Sequence, residues 1–284
     1  MSLSAPSVRL PAALFDELRK IPAFFRRDWL TMWSYRFALF GDWLNLIVQV
    51  VIFFYVSKLI PATSLPTFGG VQPNYMEFVV TGIVPTAFLA IGISRVVAVM
   101  RQEQYMGTLE PLLSCPISPG TLLLGSVVYD LLYVPLRSLI FLGVSAALFE
   151  VQFNASGLLP SGVILIVFIP FVWGLGMIGS ATVLTFKKGL GVVGFVGTFI
   201  TIGSGTYFPL TLFPEWVQRV MELNPAAIVL EATRNTLIGN AGWSEILPDL
   251  AALAPISGLT LALGLLAFNL AIKRERRLGS LGLY

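Results

Sequence analysis

Residues 101–118 read RQEQYMGTLEPLLSCPIS, a polar stretch broken by Gly and Pro and set between two long apolar runs, about 76–100 and 119–149. Each run is long enough to cross the hydrocarbon core as an α-helix, which needs roughly 20 residues. The stretch is therefore a connection between two membrane spans, and its own punctuation is that of a short helix. Gly107 stops the preceding helix, and Thr108 stands as an N-cap with Glu110 in the first turn, where a negative charge suits the helix dipole. LEPLL then supplies a turn or two with Leu109, Leu112 and Leu113 on one apolar face. Pro116 ends it, and Ser118–Pro119 is a cap followed by a first-turn proline for the next span. The expectation is a short helix over 103–116 lying across one membrane face with its leucines exposed. The stretch is either a capped loop or a docking surface with an apolar centre and a charged rim.

Outward from this stretch, composition settles the class. The chain has 284 residues, of which 56% are hydrophobic and 12% charged, with a mean hydropathy of +0.83. A soluble exterior needs far more charge than this. With no histidine and a single cysteine, Cys115, Ser-His and Cys-His nucleophilic chemistry, His/Cys metal sites and internal disulfides are excluded. A net charge of +3 would suit nucleic acid, but the placement of the charges speaks for membrane topology instead.

Six spans are expected, at about 37–60, 76–100, 119–149, 158–186, 189–212 and 247–272. Ahead of them, Leu14, Leu18, Ile21, Phe25, Trp29 and Met32 form one stripe over 12–34, with Arg19, Lys20, Arg26 and Arg27 mostly opposite. Such a helix lies in the headgroup plane, and Pro22 should kink it. The first apolar run begins behind this charged segment, unlike a cleavable signal peptide. Arg9, Arg19, Lys20, Arg26, Arg27 and Arg36 precede the first span, Arg95 and Arg101 lie near the second connection, Lys187 and Lys188 near the fourth, and Lys273, Arg274, Arg276 and Arg277 follow the last. The opposite side has Lys58, Arg219 and Arg234. The positive-inside rule thus places both termini and residues 101–118 in the cytoplasm. The whole chain, 1–284, reads as one membrane domain.

A second punctuated segment, GTYFPLTLFPEWVQRVMELNPAAIVLEATRNTLIG (205–239), lies on the other side. Pro209 and Pro214 break the fifth span. Glu215 opens one short helix, Asn224–Pro225 opens another, and Gly239 stops it. Two helices over 213–240 are too short to span, so they re-enter or lie on the outer leaflet, anchored by Trp216 and Trp243, as a solvated cap or as a gate. Glu215, Glu222, Glu231 and Arg234 should face water or pair. Within the spans, Asp130 and Arg137 lie on one face of the third, either as functional charges or as a structural pair. Gly176 with Ser180, and Gly191, Gly194 and Gly197, suggest close helix packing within or between subunits.

With these pieces in place the chain resembles the membrane subunit of the ABC type-2 exporter (permease) family over nearly its whole length. EQYMGTLEPLLSCPIS is similar to the family's pattern after the second span, and YFPLTLFPEWVQRVMELNPAAIVLEATRN to its Pro-rich outer element. The resemblance implies an all-α fold of six spans in the inner (plasma) membrane. It also implies a second permease subunit, identical or related, and two copies of a separate nucleotide-binding ATPase. No Walker-type phosphate loop occurs in this sequence, so ATP and Mg would be used by that partner, and this chain would bind no cofactor and catalyse nothing itself. Glu103, Tyr105, Gly107, Thr108, Leu109, Glu110, Leu112 and Leu113 would form the element that rests on the ATPase. Thr206, Tyr207, Phe208 and Pro209, with Asp130 and Arg137, would line a substrate path or gate. Gly-Thr-Leu-Glu-Pro-Leu-Leu is nearer the drug-resistance and lipo-oligosaccharide branch than the Lys-Val-x-Phe-Pro of polysaccharide exporters. This points to an amphipathic cargo and to lipid, not nucleic acid, as a partner. The competing readings are a polysaccharide or glycolipid exporter, a stand-alone secondary transporter, and a lipid-modifying enzyme, the last lacking any visible cluster of catalytic side chains.

Overall fold

The computed structural model describes residues 17, 19–186, 189–221 and 223–278. Arg9, Leu14, Lys187, Lys188, Leu18 and Glu222 lie outside them. Among the described residues the regular structure is helical: α1 (Ile21–Ser34), α2 (Arg36–Ser57), α3 (Tyr75–Ala90), α4 (Val97–Tyr105), α5 (Leu109–Ser114), α6 (Pro119–Phe149), α7 (Leu158–Phe186), α8 (Leu190–Ile202), α9 (Glu215–Met221), α10 (Pro225–Leu237) and α11 (Trp243–Leu278). A π-helical segment, Ile91–Val96, joins α3 to α4. Five stretches are long and apolar enough to cross a membrane: Leu39–Ser57, Tyr75–Tyr105, Pro119–Phe149, Ala155–Phe186 and Trp243–Leu278.

Helix starts follow local chemistry. Asn74 accepts a hydrogen bond from Glu77 N at 2.8 Å and Glu77 returns one from Asn74 N at 2.9 Å, a reciprocal cap for α3. Ser118 Oγ accepts from Thr121 N at 3.1 Å to begin α6, and Asn224 Oδ1 accepts from Ala226 N at 3.1 Å to begin α10. Pro22 falls in the first turn of α1. It opens the helix instead of kinking it, because a first-turn residue has no backbone partner for the N–H that proline lacks. The fifth apolar segment, read over 189–212, is helical only over Leu190–Ile202. Gly205, at φ +77°, and Pro209 end it early. Its 13 residues reach about 20 Å, short of the roughly 30 Å hydrocarbon core.

The centre of the bundle is α7, with α11 on one side and α3 and the π segment on the other. Small residues set these distances. A methyl group on Gly174 would lie 2.4 Å from Thr260 O, and one on Gly264 would lie 2.5 Å from Gly174 O, so α7 and α11 meet backbone to backbone. Gly176 faces Val96 and Gly92 of the π segment, and Gly197 faces Ile93, so these glycines serve packing inside the chain. Gly191 and Gly194 face open space. The buried hydroxyls of Ser126 and Ser145 bond to the preceding turn, at Leu122 O and Phe141 O, both at 2.8 Å.

Candidate functional site

Two regions gather the polar chemistry, one at each end of the bundle. The first is the basic end, where α1, α4, α5 and the last turns of α11 converge. Gly107 takes φ +68° and turns the chain out of α4. Thr108 does not cap α5 with its side chain. Its hydroxyl instead reaches back to Glu103, bonding the carbonyl at 3.3 Å and the carboxylate, while Thr108 N donates to Glu103 O at 3.0 Å. Glu103 also faces Arg27 of α1 at 3.7 Å. Arg276 of α11 donates to Leu113 O at 2.8 Å, and Lys20 donates to Pro116 O. Glu17 ties down the start of α6, accepting from Ser118 N at 3.2 Å beside its 2.8 Å ion pair with Lys20. The Lys20 ammonium and the hydrogen bonds from Thr121 and Ser118 hold the Glu17 carboxyl at about 2, well below the usual carboxylate range, against the opposing effect of burial.

The expected helix over 103–116 is present as α5, yet its apolar face points the other way. Leu109 is 2% exposed and Leu113 8%, and both belong to the hydrophobic core with Leu112 packed against it. Six residues of helix cannot cover themselves, and water would penalise three bare leucines, so the bundle takes them in. What the basic end leaves exposed is Tyr105 (65%) and Met106 (64%), with Glu110, Pro111 and Cys115 beside them. Arg101 lies over the Tyr105 ring at 4.7 Å, fixing its plane, and donates to Gln104 at 3.2 Å.

The second region lies deeper and toward the opposite end. Asp130 and Arg137, though on one face of α6, do not meet. Asp130 pairs with Arg95 of the π segment at 2.8 Å, and Arg137 pairs with Asp42 of α2 at 3.2 Å. Tyr133 donates to Asp42 at 2.8 Å. The two charges of one helix thus brace two different neighbours. Arg137 and Tyr207 line a shared cavity of about 200 Å³ with Gln49, Thr86 and Phe141. Thr206 adjoins it through a 2.8 Å bond to Thr86, stacked behind Ser204 at 2.9 Å. Tyr207 stacks on Phe53 at 6.0 Å. Phe208 sits apart, against Phe213, and Pro209 precedes a single helical turn, Leu210–Leu212. Of the six expected path residues, the structure brings Thr206, Tyr207 and Arg137 to one place and leaves Asp130, Phe208 and Pro209 outside it.

Arg234, expected to face water or to pair, does neither. It is 4% exposed, its guanidinium lies 3.5 Å from the centre of the Phe78 ring, and it donates to Phe78 O, Gly205 O and Thr206 O at 3.0, 3.0 and 3.1 Å. Burial lowers its pKa to about 9, with Glu231 acting in the opposite direction, so it stays protonated at neutral pH. The carbonyls of Gly205 and Thr206, in the irregular turn that follows α8, find their donor here. Glu215 faces Arg219 at 4.0 Å on the surface. Residues that the sequence reading passed over are Asp42, Gln49 and Thr86. Asp42 was visible as an acid inside an apolar run, whereas nothing local marks Gln49 or Thr86.

Long apolar helices, with charges paired between them and a short helix tied to one end, define a polytopic α-helical membrane protein. The model of the ABC-2 type transporter family matches residues 19–238, and the chain belongs to that family as an ABC transporter membrane subunit. It is similar to the "Probable multidrug ABC transporter permease YbhR" of Escherichia coli strain K12, 23% identical over 195 residues, covering 64% of this chain and 51% of that one. The same figures hold for the protein of that name from E. coli O157:H7. The chain spans about half the length of the curated relatives it matches.

Proposed function

We propose that this chain is the permease of an ATP-driven exporter that moves an amphipathic substrate, drug-like, lipid or lipo-oligosaccharide, out of the cytoplasm or inner leaflet. Two copies of a separate ATPase, using ATP and Mg, dock on the basic end, and a second permease completes the pathway. A cytoplasmic location for that end of an inner (plasma) membrane protein is supported by the clustering of Lys and Arg there. The observation that carries the reading is the construction around α5. The end of α4 exposes Tyr105 and Met106, and the short helix that follows exposes Glu110 and is bonded inward to α4 and α11, while Glu103 beside it faces α1. A push on such an element is transmitted to several spans at once, the behaviour needed for rigid-body gating.

For the substrate, the support is the 200 Å³ cavity mixing Arg137, Gln49 and Thr86 with Leu46 and Phe141, together with the printed description of the E. coli relatives as multidrug permeases. For the second permease, it is the exposed apolar face of α8, with Phe195 and Phe199 beside the open Gly191 and Gly194. The test is reconstitution in vesicles with and without a partner ATPase. Efflux of a fluorescent amphiphile should require both the partner and ATP. Transport by the purified chain alone would make it a secondary transporter and defeat the proposal.

A further inference from the structure

The helices α6 and α7 are consecutive in the chain, yet they scarcely touch. Between them lies a crevice of about 390 Å³, within the range of small-molecule sites, on the order of 300–1,000 Å³. Its walls are Leu131, Pro135, Leu139 and Leu142 of α6 and Leu158, Leu165, Ile166 and Ile169 of α7. Phe88 of α3 forms the floor, and Leu237 of α10 closes one end. The polar lining groups are Ser138 and Ser161. The Ser161 hydroxyl is already committed to Gly157 O at 2.7 Å and to Thr236 Oγ1 at 2.6 Å.

Depth fixes what can fill it. Leu131 to Leu142 lie about 18 to 35 Å along α6 from its basic end; α6 has 31 residues, about 46 Å, so a hydrocarbon core roughly 30 Å thick centred on it encloses them. The rim residues Leu139 and Ile166 are exposed, so the crevice opens sideways to the surrounding medium, which at this depth is lipid. Water inside would leave its hydrogen bonds unmade against apolar walls. An empty crevice would forfeit dispersion contacts along its whole length. We propose that this crevice is a binding site for an acyl chain of a membrane phospholipid, inserted between α6 and α7 and reaching the floor at Phe88. The chain holds the two helices apart. Because Val84 and Ser138 line both this crevice and the 200 Å³ cavity, it also supports the partition between them.

The site needs only that the protein spans a bilayer, so its test uses the full chain without ATPase or nucleotide. The protein is reconstituted with a phosphatidylcholine carrying a diazirine near the middle of one acyl chain, irradiated, and mapped by peptide mass spectrometry. Adducts are expected on the inward residues Phe88, Ser138, Leu142 and Leu165. A side chain at Gly162, another lining residue, meets nothing within 4 Å, so Gly162→Phe should fill the crevice and abolish those adducts. Gly143 is exposed, outside the crevice lining, and equally unobstructed, so Gly143→Phe should leave them in place. Adducts confined to outward residues such as Leu132 and Leu136 would overturn the proposal, as would an inward pattern unchanged by Gly162→Phe. Should that variant fail to fold, the wild-type adduct map decides alone.

Discussion

The two ends of the bundle are held by different physics. At the basic end the fastenings are partly exposed: Arg27 to Glu103 at 3.7 Å, Lys20 to Glu17 at 2.8 Å and Arg276 to a carbonyl at 2.8 Å. At the opposite end they are buried, with Arg234 bonded to three carbonyls and Thr206, Ser204 and Thr86 sharing hydroxyl bonds. Exposed ion pairs contribute little to stability and yield readily, whereas a buried donor leaves costly orphans when it is removed. The buried end is therefore built to resist and the basic end to move as a tied unit. Substitutions at the first should damage folding, and those at the second should damage transmission.

The largest effect is expected from Arg234→Met. It strands the buried carbonyls of Gly205 and Thr206, each costing about 1–3 kcal/mol, and a thermal melt of the purified chain should drop sharply. A melt close to wild type would mean that water or a relaxed loop replaces the guanidinium, and the contrast between the ends would fail. Next is Gly264→Leu, which forces α11 away from α7 and should cost about 1–3 kcal/mol or more, read as a lower midpoint in chemical unfolding.

At the basic end, Glu103→Gln should change stability by less than about 1 kcal/mol. It should nonetheless reduce the stimulation of the ATPase, because α1 and α5 then move separately. A large stability loss with intact stimulation would reverse the assignment of the two ends. The smallest effect is expected at Glu17. Its pKa is lowered from 4.5 to about 2, so its contribution is fully present above the ordinary carboxylate value and is lost as pH falls toward about 2. The stability difference between wild type and Glu17→Gln should be unchanged by mild acidification and should close only in strong acid. A difference already lost near pH 5 would show that Glu17 does not hold this contact.

Much of the fold was legible because bilayer physics leaves few choices. The runs at 119–149 and 158–186 appear as α6 and α7 with those bounds, and the caps at Ser118 and Asn224 act as their side chains predict. The leucines of LEPLL were misjudged because an apolar face on a short helix looks the same whether it meets a partner or its own bundle. Only the tertiary structure distinguishes them. Asp130 and Arg137 misled for a similar reason: spacing on one helix fixes a face but not which neighbour stands opposite. The expectation that Arg234 faces water or pairs misses its place because no sequence signal announces acceptor carbonyls 156 and 28 residues away. The π segment is likewise invisible in periodicity, although Gly92, which a side chain would drive to 2.0 Å from Val172 O, lies within it.

On the proposed function, force from ATP hydrolysis enters through the exposed Tyr105–Glu110 surface, while the leucines behind it belong to the core. The most direct measurement is ATP hydrolysis by the partner ATPase, reconstituted with this chain carrying Tyr105→Ala and Glu110→Arg together. Hydrolysis should fall to the rate of the ATPase alone while the melting temperature of the permease is unchanged. Full stimulation by the double variant would contradict this reading.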